Sequence, residues 1–292
     1  MTRQYEVLRR ASLFLEKHRR EARVAELLLQ HHLNVSRAVF FTKMQEHVPE
    51  DILSQFEADI RKHAETGVPI QHVTGNAEFY GRSFFVNENV LIPRMETEEL
   101  VQHVIKEAEN MKQSPVNKNR PLSIIDVGTG SGIIAITLKL ELEKASVFAA
   151  DISVKALKTA KENAEKLQSD VTFVQGDFLL PFMKQDIKAD VIVSNPPYIA
   201  KQERPMLADT VRDFDPEIAL FAGENGLLAF QEIIAQSPSV LNKNGLLVFE
   251  IGHEQGKAVR QLIKKVYPNS TVNVIKDING KDRIVSAKLS AE

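Results

Sequence analysis

The sequence predicts an α/β protein in which a doubly wound, mostly parallel sheet follows a small N-terminal helical bundle. Three observations carry this. Between residues 122 and 289, short apolar runs alternate with amphipathic helical stretches, as expected of strands buried on both faces. A glycine-rich loop directly follows the first of those runs. Before Gly67 there is no glycine, and apolar residues recur at three- and four-residue spacing.

Composition bounds the function. A length of 292 residues suits two domains, and 43% hydrophobic with 26% charged residues is ordinary for a protein with a sizeable core. A net charge of −2 gives no overall attraction to nucleic acid or an anionic membrane. The basic cluster from Arg3 to Arg23 reads as a solvated helix face or, alternatively, as a binding patch. The absence of cysteine excludes disulfides, thiolate catalysis and cysteine-ligated metal sites, and fits a reducing compartment. The charged N-terminus lacks the apolar region of a signal peptide, and no run of about 18 apolar residues exists to cross a membrane. The expectation is a soluble, cytoplasmic monomer without membrane or direct nucleic-acid contacts.

In the helical region, Leu8, Ala11 and Leu15, and then Val24, Leu27 and Leu28, mark apolar stripes. Pro49 before Glu50 and Asp51 suits the start of a new helix. Residues 1–75 are expected to form the bundle. Glu78 to Val86 is aromatic and β-branched about Gly81, which predicts a hairpin within a connector spanning 76–93. Residues 94–292 form the expected second domain. Thr97, with Glu98 and Glu99, reads as the cap and first turn of a helix to about Lys112. A polar loop is expected over 113–121. Strands are expected over 122–127, 146–150, 172–175, 191–194, 246–251, 271–275 and 283–289, with helices over 133–142, 154–167, 227–236 and 255–265. The last two strands are joined by too short a turn for a crossover, so they should be antiparallel.

The loop Asp126-Val127-Gly128-Thr129-Gly130-Ser131-Gly132 joins the first strand of the sheet to its helix. Glycine there allows a sharp turn and close backbone approach to a ligand. A dinucleotide fingerprint would need glycine at 133, where Ile133 stands, and no Gly-Lys-Ser/Thr follows to form a phosphate-binding P-loop. Asp151, just past the second strand, can accept hydrogen bonds from both hydroxyls of a ribose; the alternative is a role at the next helix, for which Ser153 is better placed. Asp177 and Phe178 follow the third strand and suit an adenine edge and face, although Phe178 also suits the core.

Asn195-Pro196-Pro197-Tyr198 directly follows a buried strand. The prolines have fixed φ and no N–H, so their carbonyls are rigidly aimed and free to accept. Asn195 adds a side-chain acceptor and Tyr198 a flat face. Together they describe a site that receives a planar NH₂ group. The alternative is a purely structural Pro-Pro turn.

These motifs, in this order, resemble class I methyltransferases acting on planar NH₂ groups. The wider sequence resembles the PrmC/HemK family of release-factor glutamine N5-methyltransferases. The resemblance rests on Pro69-Ile70-Gln71-His72 with Gly75, Glu78-Phe79-Tyr80-Gly81, Val90 to Arg94 with Glu96-Thr97-Glu98, and Asn195 to Ile199. It continues through Asp215-Pro216, Gly226-Leu227, Glu250-Ile251-Gly252 with Gln255, and Asp277 to Arg283, covering roughly residues 67–289. It implies a Rossmann-like class I fold whose last strand is antiparallel, with S-adenosylmethionine as cofactor and S-adenosylhomocysteine as product. Asp126, Gly128, Thr129, Gly130, Ser131, Gly132, Asp151, Asp177, Phe178 and Asn195 would bind the cofactor. Asn195, Pro196, Pro197 and Tyr198 would hold the substrate amide, with Asn195, Pro196 and Tyr198 catalytic. The implied substrate is the glutamine of the Gly-Gly-Gln motif in class-1 peptide chain release factors, recognised partly through the helical domain. Met95 stands where the family carries proline, and Val73-Thr74 are less aliphatic than usual.

Arg94 and Glu98 read as ion-pair or interface residues. His72 and His253 stand alone without metal-ligand spacing, and no metal is expected. Three rival readings remain: a ribosomal-protein glutamine methyltransferase, a DNA adenine or cytosine methyltransferase using the same tetrapeptide on a flipped base, and a non-catalytic adenosine-binding scaffold. A DNA enzyme should carry a basic groove and a target-recognition domain; a scaffold has no use for an amine-orienting site.

Overall fold

The computed structural model describes residues 2–114, 120–223 and 225–290, so part of the polar loop expected over 113–121 lies outside the described residues. Along the chain, α1 (Gln4–Lys17), α2 (Arg23–Leu33), α3 (Arg37–Thr42), α4 (Glu50–Thr66) and α5 (Ile70–Thr74) precede a hairpin of β1 (Asn76–Phe79) and β2 (Arg82–Phe85). Next come α6 (Met95–Lys112), β3 (Ser123–Val127), α7 (Ile133–Glu141), β4 (Ser146–Asp151) and α8 (Val154–Lys166). They are followed by β5 (Val171–Gln175), α9 (Leu180–Lys184), β6 (Ala189–Ser194), α10 (Asp209–Arg212) and α11 (Glu217–Leu220). The chain closes with α12 (Leu228–Gln236), β7 (Leu241–Glu250), α13 (Gly256–Val266), β8 (Thr271–Lys276) and β9 (Asp282–Lys288). By its contacts the chain forms two compact units, Met1–Asn76 with Ala208–Phe214, and Ala77–Leu207 with Asp215–Glu292.

The first unit is helical. In α1, Val7, Ala11 and Leu15 repeat every four residues and are buried against Leu28 and Leu29 of α2 and Phe56 and Ile60 of α4. Ala11 and Leu15 of α1 and Val24 and Leu28 of α2 are buried as expected, but Val7 takes the buried place expected for Leu8. Leu8 is only partly buried, and in α2 the buried set is Val24, Ala25, Leu28 and Leu29, with Leu27 at 38% exposure. Leu27 falls outside the arc of the helix that those four residues cover. Buried Gln4 donates from Nε2 to the Phe40 carbonyl at 2.9 Å, which satisfies its amide inside the apolar cluster. Arg20 pairs with Asp209 at 2.9 Å and so ties the α10 segment to this unit.

The second unit is a seven-stranded sheet in the order β5-β4-β3-β6-β7-β9-β8. Neighbours from β5 to β7 are parallel, and β9 runs antiparallel to both β7 and β8, as the short final turn requires. Alternate residues serve opposite faces. Ile124, Val147, Ala149, Val191, Val193 and Val248 pack with Leu100, Val104, Ile134 and Leu138 of α6 and α7. Ile125, Val127, Ile192, Leu247 and Phe249 pack with Phe182, Phe230, Ile233, Val259 and Ile263 of α9, α12 and α13. The hairpin adds Phe79 and Phe84 to the first of these cores.

Two local differences from the sequence expectation have physical causes. Strand β7 starts at Leu241 and not near 246, because its first residues pair with β6 before a register shift between Ala189 and Val191. Helix α6 starts at Met95, so Thr97 does not cap it; Thr97 is buried in the first turn and its hydroxyl donates elsewhere.

The crossovers decide where a ligand fits. The chain runs β3, β4, β5 toward one edge, then returns to place β6 on the other side of β3. Strand order therefore reverses between β3 and β6, and the crevice at such a reversal is where open α/β sheets bind ligands. At the opposite end of the sheet, Asp190 accepts two hydrogen bonds from Arg120 at 2.7 Å, one from Ser123 N at 2.9 Å and one from Asn242 Nδ2 at 2.9 Å. That cluster fixes the starts of β3, β6 and β7 and holds Asp190 ionised: its bonds to Arg120, Ser123 and Asn242 outweigh burial and lower its pKa.

Phe249 is fully buried and meets Phe230 edge-on with ring centroids 5.4 Å apart. Phe249→Ala should lower unfolding free energy by about 3–5 kcal/mol, measured by urea denaturation; a loss below about 1 kcal/mol would contradict this packing.

Candidate active site

Gly128, Gly130 and Gly132 all adopt left-handed φ, at +72°, +56° and +84°. They differ in what a side chain would meet. A Cβ at Gly128 or Gly130 would have nothing within 4 Å, so those positions leave open space beside the loop. At Gly132 it would lie 2.9 Å from Ile136 Cδ1 and 3.1 Å from Ala160 Cβ, so this glycine lets α7 pack against α8. Gly128 N and Thr129 N both donate to the Ala150 carbonyl, at 2.8 and 3.0 Å, which pins the loop to the end of β4. Buried Asn163 braces it further, donating from Nδ2 to the carbonyls of Ser131 at 2.9 Å and Phe85 at 3.0 Å.

Two carboxyl groups support the loop from below. Asp126 is wholly buried and accepts from Thr129 Oγ1 at 2.6 Å; burial pushes its pKa up to about 7. Asp151 accepts from Gly130 N and Ser153 N, both at 2.8 Å, and burial raises its pKa as well. The helix cap that competed for Asp151 belongs to Ser153, whose Oγ accepts from Ala156 N at 3.2 Å. Phe178 is partly buried against the α9–α12 core and also lines the crevice; Asp177 beside it is exposed.

Strand β6 brings Asn195 to Tyr198 alongside. Its register with β3 pairs Ile124 with Val191 and Asp126 with Val193, so the two loops leave adjacent strand ends. Ser194 Oγ donates to the Val127 carbonyl at 2.6 Å and locks those ends together. Asn195 Nδ2 donates to Thr97 Oγ1 at 3.2 Å, and Thr97 Oγ1 donates to Glu250 Oε2 at 2.7 Å. The Tyr198 carbonyl accepts from Gln255 Nε2 at 2.9 Å, while a Cβ at Gly226 would lie 2.2 Å from that carbonyl oxygen. Glu250 is buried at the end of β7, with its pKa pushed up by burial to about 7.

These residues surround a cavity of about 260 Å³. Gly128 to Ser131, Asp151, Asp177, Phe178, Asn195 and Pro197 line it, together with Leu91 to Arg94, Thr97, Ile152 and Leu228, whereas Gly132 does not. Pro196 and Tyr198 face a small adjoining space, shared with Arg94, Asn195 and Glu250. Asp126 lies beneath the loop and does not line the cavity. Arg94 approaches Asp215 to 3.6 Å, and Glu98 accepts from Tyr80 N at 2.7 Å, so Glu98 holds the hairpin. Met95 is 81% exposed. Among the described residues no group of three or more His, Asp or Glu could hold a metal ion, and no helix is long and apolar enough to cross a membrane.

Comparison with known proteins follows the same division. Residues 6–75 match the family described as PrmC N-terminal domain, and residues 118–286 match a methyltransferase domain. The release factor glutamine methyltransferase of Bacillus subtilis is 45% identical over 97% of this chain and 96% of its own length. The chain belongs to the release factor glutamine methyltransferase family. Its counterpart in Enterococcus faecalis is 39% identical over 98% of this chain and 99% of its own. Among solved structures, a methyltransferase from Pyrococcus furiosus aligns with a TM-score of 0.50 at 15% identity, over 82% of this chain and 100% of that one. The hMettl16 catalytic domain in complex with a 3'UTR hairpin aligns with a TM-score of 0.54 at 17% identity, over 83% and 81%. These two likenesses establish the class I methyltransferase fold.

Sequence reasoning gave no site role to Thr97, Glu250, Asn163 or Gln255. A carboxylate ending the apolar run Leu246 to Phe249 was the available signal for Glu250, since an unpaired charge there is costly.

Asp126 binds its proton more tightly when folded than the ordinary 3.8 of an unfolded carboxyl. Its stabilisation is therefore complete below about pH 4 and is lost as pH rises through about 7. Asp126→Asn should flatten the fall in unfolding free energy between about pH 4 and 8. An unchanged slope in pH-resolved denaturation would show that Asp126 titrates normally.

Proposed function

We propose that this protein transfers a methyl group from S-adenosylmethionine to the side-chain amide nitrogen of the glutamine in the Gly-Gly-Gln motif of class-1 peptide chain release factors. The observation that carries the reading is the convergence of a glycine loop and an Asn-Pro-Pro-Tyr turn on one crevice, at the strand-order reversal of a chain in this family. The crevice fits the cofactor. Backbone at Gly128 and Gly130 lies open where a Cβ would intrude, and the Asp151 carboxylate lines the same wall. Gly128 to Gly132 would cradle the cofactor with Asp126 supporting Thr129, Asp151 would take the ribose, Asp177 and Phe178 the adenine, and Asn195 the reacting end. When bound, the cofactor supplies an electrophilic methyl carbon on a sulfonium sulfur and leaves as S-adenosylhomocysteine.

The chain's own residues have to overcome the poor nucleophilicity of an amide. Asn195 Oδ1 and the Pro196 carbonyl accept the two N–H bonds and hold the nitrogen with its lone pair facing the incoming carbon. Tyr198 and Pro197 confine the flat carboxamide. The work is positioning and electrostatic, because the nitrogen's proton becomes acidic only as the new bond forms. Asn195 orients and does not deprotonate. The helical unit would recognise the body of the release factor.

The test incubates the protein with methyl-labelled cofactor and, separately, a class-1 release factor, ribosomal proteins and duplex DNA. Label on the release-factor glutamine is expected. Label on ribosomal protein or DNA alone overturns the substrate assignment. Asn195→Ala should leave cofactor affinity within about tenfold and reduce transfer by more than about 100-fold. Failure of that variant to fold would instead assign Asn195 a structural role.

A further inference from the structure

We propose that Thr97 and Glu250 are positioning residues that fix which way round the Asn195 amide stands. This rests on the reading above, in which Asn195 Oδ1 accepts a substrate N–H.

A carboxamide has a donor end and an acceptor end of nearly equal shape, so packing alone does not choose between them. Only the acceptor end serves an NH₂ substrate; turned round, Asn195 would point its own NH₂ at the substrate's. The hydrogen-bond chain makes the choice. Asn195 Nδ2 donates to Thr97 Oγ1 at 3.2 Å, and Thr97 Oγ1 donates to Glu250 Oε2 at 2.7 Å. The threonine hydroxyl has one proton. A carboxylate can only accept, so that proton is committed to Glu250. The hydroxyl lone pair must then receive Asn195 Nδ2, which leaves Oδ1 as the free end of the amide. The three residues sit on separate elements: Asn195 follows β6, Glu250 ends the neighbouring β7, and Thr97 lies in the first turn of α6. Thr97 and Glu250 are both at 1% exposure, so water does not compete for the bond between them.

The arrangement carries its own pH dependence. A protonated Glu250 can donate to Thr97, which frees the threonine proton for Asn195 Oδ1 and permits the reversed amide. Burial opposes the carboxylate, as does Glu96 on α6, while Arg283 on β9 and Arg94 before α6 favour it; the Tyr198 phenol also faces it. With Glu250 raised to about 7, the orientation is set within the neutral range.

The test uses full-length protein at pH 8, methyl-labelled S-adenosylmethionine and a class-1 release factor. Thr97→Val keeps the shape and removes the relay. It should lower kcat about 10- to 100-fold while KM for the release factor and cofactor affinity stay within about threefold. Thr97→Ser should restore kcat to within about threefold of wild type. Wild-type kcat should rise with pH through about 7, and Glu250→Gln should abolish that rise at a lower plateau. The substrate-free protein gives an independent readout. The Asn195 side-chain amide resonance, assigned by its loss in Asn195→Asp, should shift in Thr97→Val and not in Thr97→Ser. A Thr97→Val enzyme within twofold of wild-type kcat overturns the proposal, as does an unmoved amide resonance. So does a joint loss of kcat, KM, cofactor affinity and melting temperature that serine fails to rescue. Wild-type protein that labels no release factor would overturn the proposed function alone, because the resonance still decides the orientation.

Discussion

The pairing of β3 with β6, closed at its tip by the Ser194 hydroxyl on the Val127 carbonyl, is the constraint on which the site depends. Both strands are buried on both faces, and the chain moves away from β3 in opposite directions before and after β6. Helices crossing over in opposite senses leave a gap above those two strand ends that neither can fill. Every loop that matters opens into that gap because parallel strands all end on the same side. The glycine turn and the Asn-Pro-Pro-Tyr turn are neighbours for this reason, although 67 residues separate Val127 from Ser194.

Buried carboxyl groups divide the sheet into two chemically different ends. At the starts of the strands, Asp190 meets a guanidinium, a backbone N–H and an amide, and is held ionised below the usual range. At the other end, Asp126 and Glu250 each accept from a threonine hydroxyl and form no ion pair among the described residues, and burial lifts both to about 7. A fully paired carboxylate anchors a fold. A partly paired one buried beside a crevice can change charge near neutrality, which is common around functional sites. The difference lies in surroundings and not in residue type.

The tight geometry of the tetrapeptide comes from outside it. Gln255 reaches from the start of α13 to the Tyr198 and Gly226 carbonyls while accepting from Gly252 N, so one side chain links three segments. Asn163, in the last turn of α8, similarly joins the hairpin to the glycine loop through three hydrogen bonds. Fixed prolines aim the carbonyls locally; these amides hold the turn where that aim is useful.

Much of this was legible in sequence because it is local. Alternating apolar strands, glycines at 128, 130 and 132, an acidic residue after the second strand, and prolines after a buried run each dictate backbone shape over a few residues, and together they specified the sheet and its crevice. The burial of Val7 in place of Leu8, the early start of β7 and the buried position of Thr97 were not legible. Nor were Glu250, Asn163 and Gln255 as parts of the site. Thr97 and Glu250 lie 153 residues apart, and a threonine ahead of two glutamates looks like a helix cap until a buried carboxylate is brought beside it. Sequence by itself determined which backbone turns form and which chemistry they offer. Only the tertiary structure decided how those groups are oriented, because a hydrogen bond's direction depends on every donor and acceptor that folding brings within reach.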